Sequence, residues 1–136
     1  MRTTNFFRFL GISLITLIFS FNLNAQTYPN KPVTVIVPFS AGSASDVVTR
    51  VLLEKVSSNT NTRFIFDNRP AAGGNVGTAA VVKADPDGYT IGLSTSGPLA
   101  VNKILNPDLG YDPERDLQPI ALFAVLPNII VVRKLE

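Results

Sequence analysis

The 136-residue chain contains no cysteine, no histidine and no tryptophan, and a single methionine. Without cysteine there are no disulfides, no thiolate chemistry, no cysteine-based zinc site and no lipidated cysteine. Without histidine there is no Ser-His-Asp triad, no HExxH site and no imidazole general base. Charge is sparse as well, at 16% of residues, whereas 46% are hydrophobic. A chain this apolar buries surface and folds, which excludes a disordered tail, and its length suits one domain.

The first 25 residues read as a leader rather than as part of the fold. Arg2 and Arg8 precede an apolar run from Phe9 to Phe21, and Ala25 follows a short polar patch. That is the order of a secretory signal, with cleavage expected after Ala25. The run is shorter than the ~17–25 residues that span a bilayer, so no membrane span is expected once the signal is removed. An uncleaved anchor or a buried helix is the plainer alternative. Twelve basic and ten acidic residues make the whole chain +2. Arg2 and Arg8 leave with the signal, so residues 26–136 carry no net charge. A nucleic-acid partner is therefore not expected, because phosphate binding needs a concentrated basic surface.

Past the leader the pattern alternates. Val33 to Val37 is a β-branched run stopped by Pro38, and reads as a buried parallel strand. From Asp46 the period becomes helical, with Val47, Val48, Val51, Leu52 and Val56 as the expected apolar face; Ser43 or Ser45 is the expected cap. Ser57 to Thr62 reads as a polar break. Arg63 to Asp67 reads as a second strand. A helix from Asn75 follows, with Val76, Ala79, Ala80 and Val82 available for packing. Asp85-Pro86-Asp87-Gly88 is a turn, and Tyr89 to Leu93 a third strand. Leu99 to Leu105 reads as a short helix and Asn106 to Pro119 as loop. Ile120–Val125 and Asn128–Val132 read as two more strands. Strands alternating with helices at this spacing imply an α/β fold with a mostly parallel sheet.

In open α/β sheets ligands lie beyond the carboxyl ends of the strands. Three small-residue loops fall there: Pro38 to Asp46, Asn68 to Gly77, and Ser94 to Gly97. Two of them lead into helices, whose starts offer unpaired amides and partial positive charge. Small residues let an anion approach that backbone, and serine or threonine hydroxyls add donors. The pattern points to a site for a carboxylate or similar small anion, built mainly from backbone. Each loop also has a plainer reading. Gly42 with Ser43 shapes a turn and caps a helix, Gly73-Gly74 lets a helix pack closely, Ser94 to Gly97 makes a turn, and Asp46 answers a helix dipole. The GxGxxG spacing is absent from Gly73 to Gly77, and the first loop has no P-loop lysine. Ser43 and Ser45 have Asp46 nearby but no base to take a proton. Arg50, Arg63 and Arg69 are most simply surface charges or salt-bridge partners. No cofactor and no metal ion is expected.

The order of these segments resembles the tripartite tricarboxylate transporter substrate-binding proteins, the Bug family. The resemblance is carried by Tyr28-Pro29 with Lys31-Pro32, VTVIVPFSAGSASD, DNRPAAGGNVG, ADPDGYTIGLSTSG, the segment around Tyr111-Asp112-Pro113, and DLQPIALFAVLPNIIVV, across residues 28–132. It implies a type II, flytrap-like periplasmic binding fold that captures a small carboxylated solute for the permease subunits of a membrane transporter, without catalysis. By position, it implies ligand contacts from Phe39, Ser40, Ala41, Gly42, Ser43, Ser45 and Asp46, and from Ser94, Thr95, Ser96 and Gly97. Gly73, Gly74 and Asn75 are the further candidates. Two positions depart from the family pattern: Ser43 replaces the second glycine of the first loop, and Ala71 a glycine of the second. Family members are about twice as long. Residues 26–136 are thus expected to supply the N-terminal part of the first lobe, with the second lobe missing and solute binding weak or lost. A non-binding fragment and a secreted α/β enzyme with an anion-stabilising loop are the alternatives.

Overall fold

The computed structural model of the protein describes residues 28–125, 127 and 129–133. The leader lies outside the described residues. The chain divides into two compact units, Met1–Asn30 and Lys31–Glu136. In the first, the described residues Tyr28–Asn30 include a cis Tyr28–Pro29 peptide. The second holds every helix and strand of the described residues.

Its elements run β1 (Val33–Val37), α1 (Ala44–Thr60), β2 (Phe64–Asn68), a 3-10 turn (Ala72–Gly74), α2 (Asn75–Val82), β3 (Thr90–Gly92), a π-helical turn (Gly97–Val101), α3 (Asn102–Leu105) and α4 (Pro113–Asp116). The three strands form one parallel sheet in the order β2-β1-β3. Val35 sits opposite Phe66 on one side and Ile91 on the other. β1 is the central strand and is buried along nearly its whole length, which is why its sequence is a continuous β-branched run. Val35, Val37 and Leu93 make the core, with Phe39, Leu53, Phe64, Phe66 and Ile91 packed against it.

The long helix begins where its cap predicts and runs further than its apolar pattern. Ser43 is the N-cap, extended at φ −64 and ψ 159, and its hydroxyl accepts from the Asp46 amide. The helix continues through Ser57–Thr60, expected as a break, and ends on a left-handed Asn61 at φ 53. Of the expected apolar face only Val56 is half-buried. Val47, Val48, Val51 and Leu52 are exposed, by 48%, 37%, 64% and 38%. Asp46 and Thr49 are buried instead, and Leu53 reaches the core. The physical cause is electrostatic anchoring. The Asp46 carboxylate is tied to Asn68 at the end of β2 and to the Gly42 amide, and this turns the 46-49-53 stripe inward. The apolar stripe lies one residue further round, ~100° away, and faces out.

Three further expectations change. In α2 the buried residues are Gly77 and Thr78, and Val76 is 49% exposed. Asp112 caps a one-turn helix, Pro113–Asp116, inside the stretch expected as loop. The strands expected at Ile120–Val125 and Asn128–Val132 are absent among the described residues. Ile120, Leu122, Val125, Ile129 and Ile130 are 79–95% exposed there. A strand is defined by a ladder partner, and none lies beside the described residues of these two stretches.

Candidate functional site

Because the strands are parallel, the loops that leave their carboxyl ends begin at one edge of the sheet. Two backbone bonds extend the ladder to that edge: the Arg69 amide donates to the Val37 carbonyl at 2.8 Å, and the Leu93 amide to the Ile36 carbonyl at 3.0 Å. The first, second and third loops are thereby fastened side by side where they start.

They meet on Gly74. A Cβ at Gly74 would stand 2.9 Å from Pro98 Cγ, 3.5 Å from Phe39 Cζ and 3.6 Å from Pro38 Cβ. Gly74 of the second loop thus meets Pro38 and Phe39 of the first loop and Pro98, the residue that follows the third. Gly74 also sits at φ +96, which a side chain rarely adopts. Gly77 brings α2 against the first loop, with Pro38 Cα and Cβ 2.7 and 2.6 Å from where its Cβ would be. Gly74 thus makes room for the side chains of Pro38, Phe39 and Pro98, Gly77 admits the backbone of Pro38 and the Arg69 carbonyl, and a Cβ on Gly73, at φ +63, would have nothing nearer than the Asn102 side chain at 4.0 Å.

The first loop is braced from within. Asp46 is 2% exposed. Its Oδ2 accepts from the Gly42 amide at 2.8 Å and from Arg50 Nε at 2.9 Å; its Oδ1 accepts from Asn68 Nδ2 at 2.9 Å. Asn68 Nδ2 also donates to the Phe39 carbonyl at 3.0 Å, and Arg50 Nη2 to Asn68 Oδ1 at 3.0 Å. Arg50 lies over the Phe66 ring, 4.2 Å from its centroid. The hydrogen bond from Arg50, then those from Asn68 and the Gly42 amide, hold the Asp46 carboxyl far below the usual carboxylate range, against an opposing effect of burial. The carboxylate stays ionised, and the Arg50 guanidinium balances its charge beside the helix start.

This geometry sorts the expected ligand residues. The carboxylate of Asp46 and the amides of Gly42 and Asp46 are committed inside the protein. Ser43 needs no positive φ in place of a glycine, since it is extended, and its hydroxyl serves as the cap. Ala71 is extended too, at φ −174, so its replacement of a glycine costs nothing. Gly42, at φ +80 with open space around it, is required by its conformation alone. Ser40 and Ala41 are exposed at the tip of the loop. In the third loop the Ser94 hydroxyl lies 3.1 Å from that of Thr78 on α2, while Ser96 is exposed and Thr95 and Gly97 are half-buried. Asn75 Oδ1 accepts from Asn102 Nδ2 at 2.6 Å, with the Tyr111 hydroxyl at 3.3 Å. Arg69 pairs with Asp67 at 2.7 Å.

Sequence reasoning missed the supporting residues Asn68, Thr78, Asn102 and Tyr111. The i, i+4 spacing of Asp46 and Arg50 was a usable signal for the first brace. Among the described residues no cluster of three or more acidic, histidine or cysteine side chains stands ready for a metal, and no helix is long and apolar enough to cross a membrane.

A family model described as the tripartite tricarboxylate transporter family receptor matches residues 48–135. The chain belongs to this receptor family. BugT of Bordetella pertussis is 36% identical over 132 residues, which are 96% of this chain and 40% of BugT. MatC from Rhodopseudomonas palustris, solved with bound malate, is 33% identical with a TM-score of 0.66, over 70% of this chain and 32% of MatC. R. palustris Rpa4515, solved with adipate, is 34% identical with a TM-score of 0.60, over 64% of this chain and 29% of that protein. The described residues form a partial α/β domain of the periplasmic-binding-protein fold, as the family resemblance implied. The chain spans about 40% of BugT and about 30% of these solved relatives.

Proposed function

We propose that the edge formed by the first and third loops is one side of a binding site for a small carboxylated solute. In the complete receptor a second lobe closes the other side and excludes water. The observation that carries this reading is the meeting on Gly74 of the first loop, through Pro38 and Phe39, with Pro98 at the end of the third. It supports a single rigid edge from which the tips of two small-residue loops face solvent. At that edge, the backbone amides of Ser40 and Ala41 and the hydroxyls of Thr95 and Ser96 are the donors for the carboxylate. The 17-residue helix α1 starts beside them and adds partial positive charge. Because Arg50 cancels the Asp46 charge, that field is not opposed at the anion site. Relatives solved with malate and with adipate support a four- to six-carbon dicarboxylate as the class of solute.

The reading is non-catalytic. The chain lacks histidine and cysteine, and its buried carboxylate is occupied by three donors. We further propose that the receptor is exported by the leader at residues 1–25, that residues 26–136 form the N-terminal part of its first lobe, and that it hands its solute to the membrane permease of a tripartite tricarboxylate transporter.

Titrating the ¹⁵N-labelled chain with malate and adipate tests the binding edge, since chemical-shift mapping registers even millimolar affinity. Shifts confined to residues 39–45 and 94–97 are expected. An unmoved spectrum at 50 mM ligand, or shifts centred elsewhere on the sheet, overturns the reading.

A further inference from the structure

Behind the solvent-facing edge, a small polar cluster joins the second loop to the third. Asn75 opens α2, and its Oδ1 accepts from Asn102 Nδ2 at 2.6 Å. Tyr111, 7% exposed, reaches the same place from a third segment of the chain. Its hydroxyl donates to the Pro98 carbonyl at 3.0 Å in a buried bond, and Asn75 Oδ1 lies 3.3 Å away. One phenolic proton serves both acceptors, and the shorter bond takes the larger share. Tyr111 is itself held in place. Gly110 turns at φ +82 just before it, and the carboxylate of Asp112 just after it binds Lys103 Nζ of α3 with both oxygens at 2.8 Å. Around the cluster the backbones of the two loops approach closely: the Gly73 carbonyl oxygen lies 3.9 Å from where a Cβ on Gly97 would stand. Asn102 and Tyr111 thus converge on the amide oxygen of Asn75, which accepts from both, and Tyr111 links it to the Pro98 carbonyl.

We propose that Tyr111 and Asn75 are positioning residues: with Asn102 they lock the 94–98 loop against the turn at 73–75 in the spacing the solute requires, and Asn75 does not touch the solute. This rests on the binding edge proposed above. The cluster is a joint between loops rather than part of the core, so its loss frees the third loop locally.

Tyr111→Phe keeps the ring and removes the hydroxyl. Amide hydrogen exchange at Leu99–Asn102 is expected to quicken about fivefold, the factor one net hydrogen bond commands, with Val35 and Val37 unchanged. Malate affinity, read from the shifts at residues 39–45, is expected to fall by a similar factor. Asn75→Ala should do more than either, and Asn75→Asp, which keeps an acceptor, should restore the exchange protection. Unchanged exchange at Leu99–Asn102 overturns the lock. Equal quickening in β1 shows a merely structural role and overturns it too, as does quickened exchange with unaltered affinity. If the unmodified chain ignores malate, the binding edge fails, and the exchange comparison still decides whether the lock exists.

Discussion

Gly77→Ala sets helix propensity against close packing, and the structure says which prevails. Gly77 lies inside α2 at ordinary helical dihedrals, so alanine there is favoured by ~1 kcal/mol on intrinsic grounds. The added Cβ would stand 2.6 Å from Pro38 Cβ, 2.7 Å from Pro38 Cα and 3.2 Å from the Arg69 carbonyl oxygen. These neighbours are backbone and a proline ring, with no flexible end to swing aside. Pro38 is fully buried and follows directly on the central strand. The helix must therefore lift away by roughly 1 Å, loosening the packing of Thr78 and Val81 along with it. Overpacking of this kind costs ~1–3 kcal/mol, and the lifted helix loses dispersion contacts as well. The net expectation is a destabilisation of about 2 kcal/mol. Urea unfolding followed by circular dichroism would show it as a midpoint lowered by on the order of 1 M. The same lift moves Pro38 and Phe39, so amide shifts should spread into the first loop. A variant as stable as the parent, or more stable, would mean that propensity wins and that the close approach of α2 to β1 is wrong.

Other perturbations separate further parts of the structure. Leu53→Ala should cost about 2 kcal/mol in urea unfolding, whereas Val51→Ala should stay within about 0.5 kcal/mol, because Leu53 meets the core and Val51 is exposed; the reverse order would restore the apolar face expected from periodicity. Asp46 has its folded-state pKa lowered, so between that value and the unfolded ~3.9 the unfolded chain binds more protons. Its contribution is complete above about pH 4 and is lost as pH falls below it. Asp46→Asn should flatten the acid limb of a stability–pH profile more than Asp87→Asn, whose salt bridge to Lys31 is open to water. Ala72 stands at φ +47, so Ala72→Gly should leave stability unchanged or raise it by up to about 1 kcal/mol, read as melting temperature; a clear loss would refute the strained turn.

Much of the fold was legible because its signals are local. The run Val33–Val37 specified a buried strand, the turn at Asp85 to Gly88 separated α2 from β3, and Ser43 was a sound cap. The alternation of elements then required parallel pairing. What was not legible depended on partners distant in sequence. Hydrophobic periodicity assigned the wrong face to α1 because it weighs side chains only by their own polarity. It takes no account of a buried aspartate whose desolvation is offset by three donors, one of them Asn68 in β2. The expected strands at Ile120–Val125 and Asn128–Val132 failed for a related reason. Their composition is that of strands, yet a strand also needs a neighbour, and composition cannot supply one.

The candidate site divides along the same line. That three loops share an edge follows from parallel strands alone, so it was legible in the sequence. Which polar groups of those loops remain free for a solute was not, since it depends on what each group already bonds. Once Gly42 N, Asp46 N and the Asp46 carboxylate are assigned to one brace, and Asn75 Oδ1 to another, the donors left at the surface are few and belong to loop tips. The two braces also explain why so little chemistry is displayed there. The donors of the proposed edge are two amides and two hydroxyls with weak individual contacts, so its selectivity would rest on holding them at fixed spacing. Arg50 and Asn68 do this for the first loop, and Tyr111 and Asn102 for the third. A substitution in either brace should therefore weaken the solute without touching it, and an alanine at Ser96, which braces nothing among the described residues, should weaken the solute and leave the urea midpoint where it was.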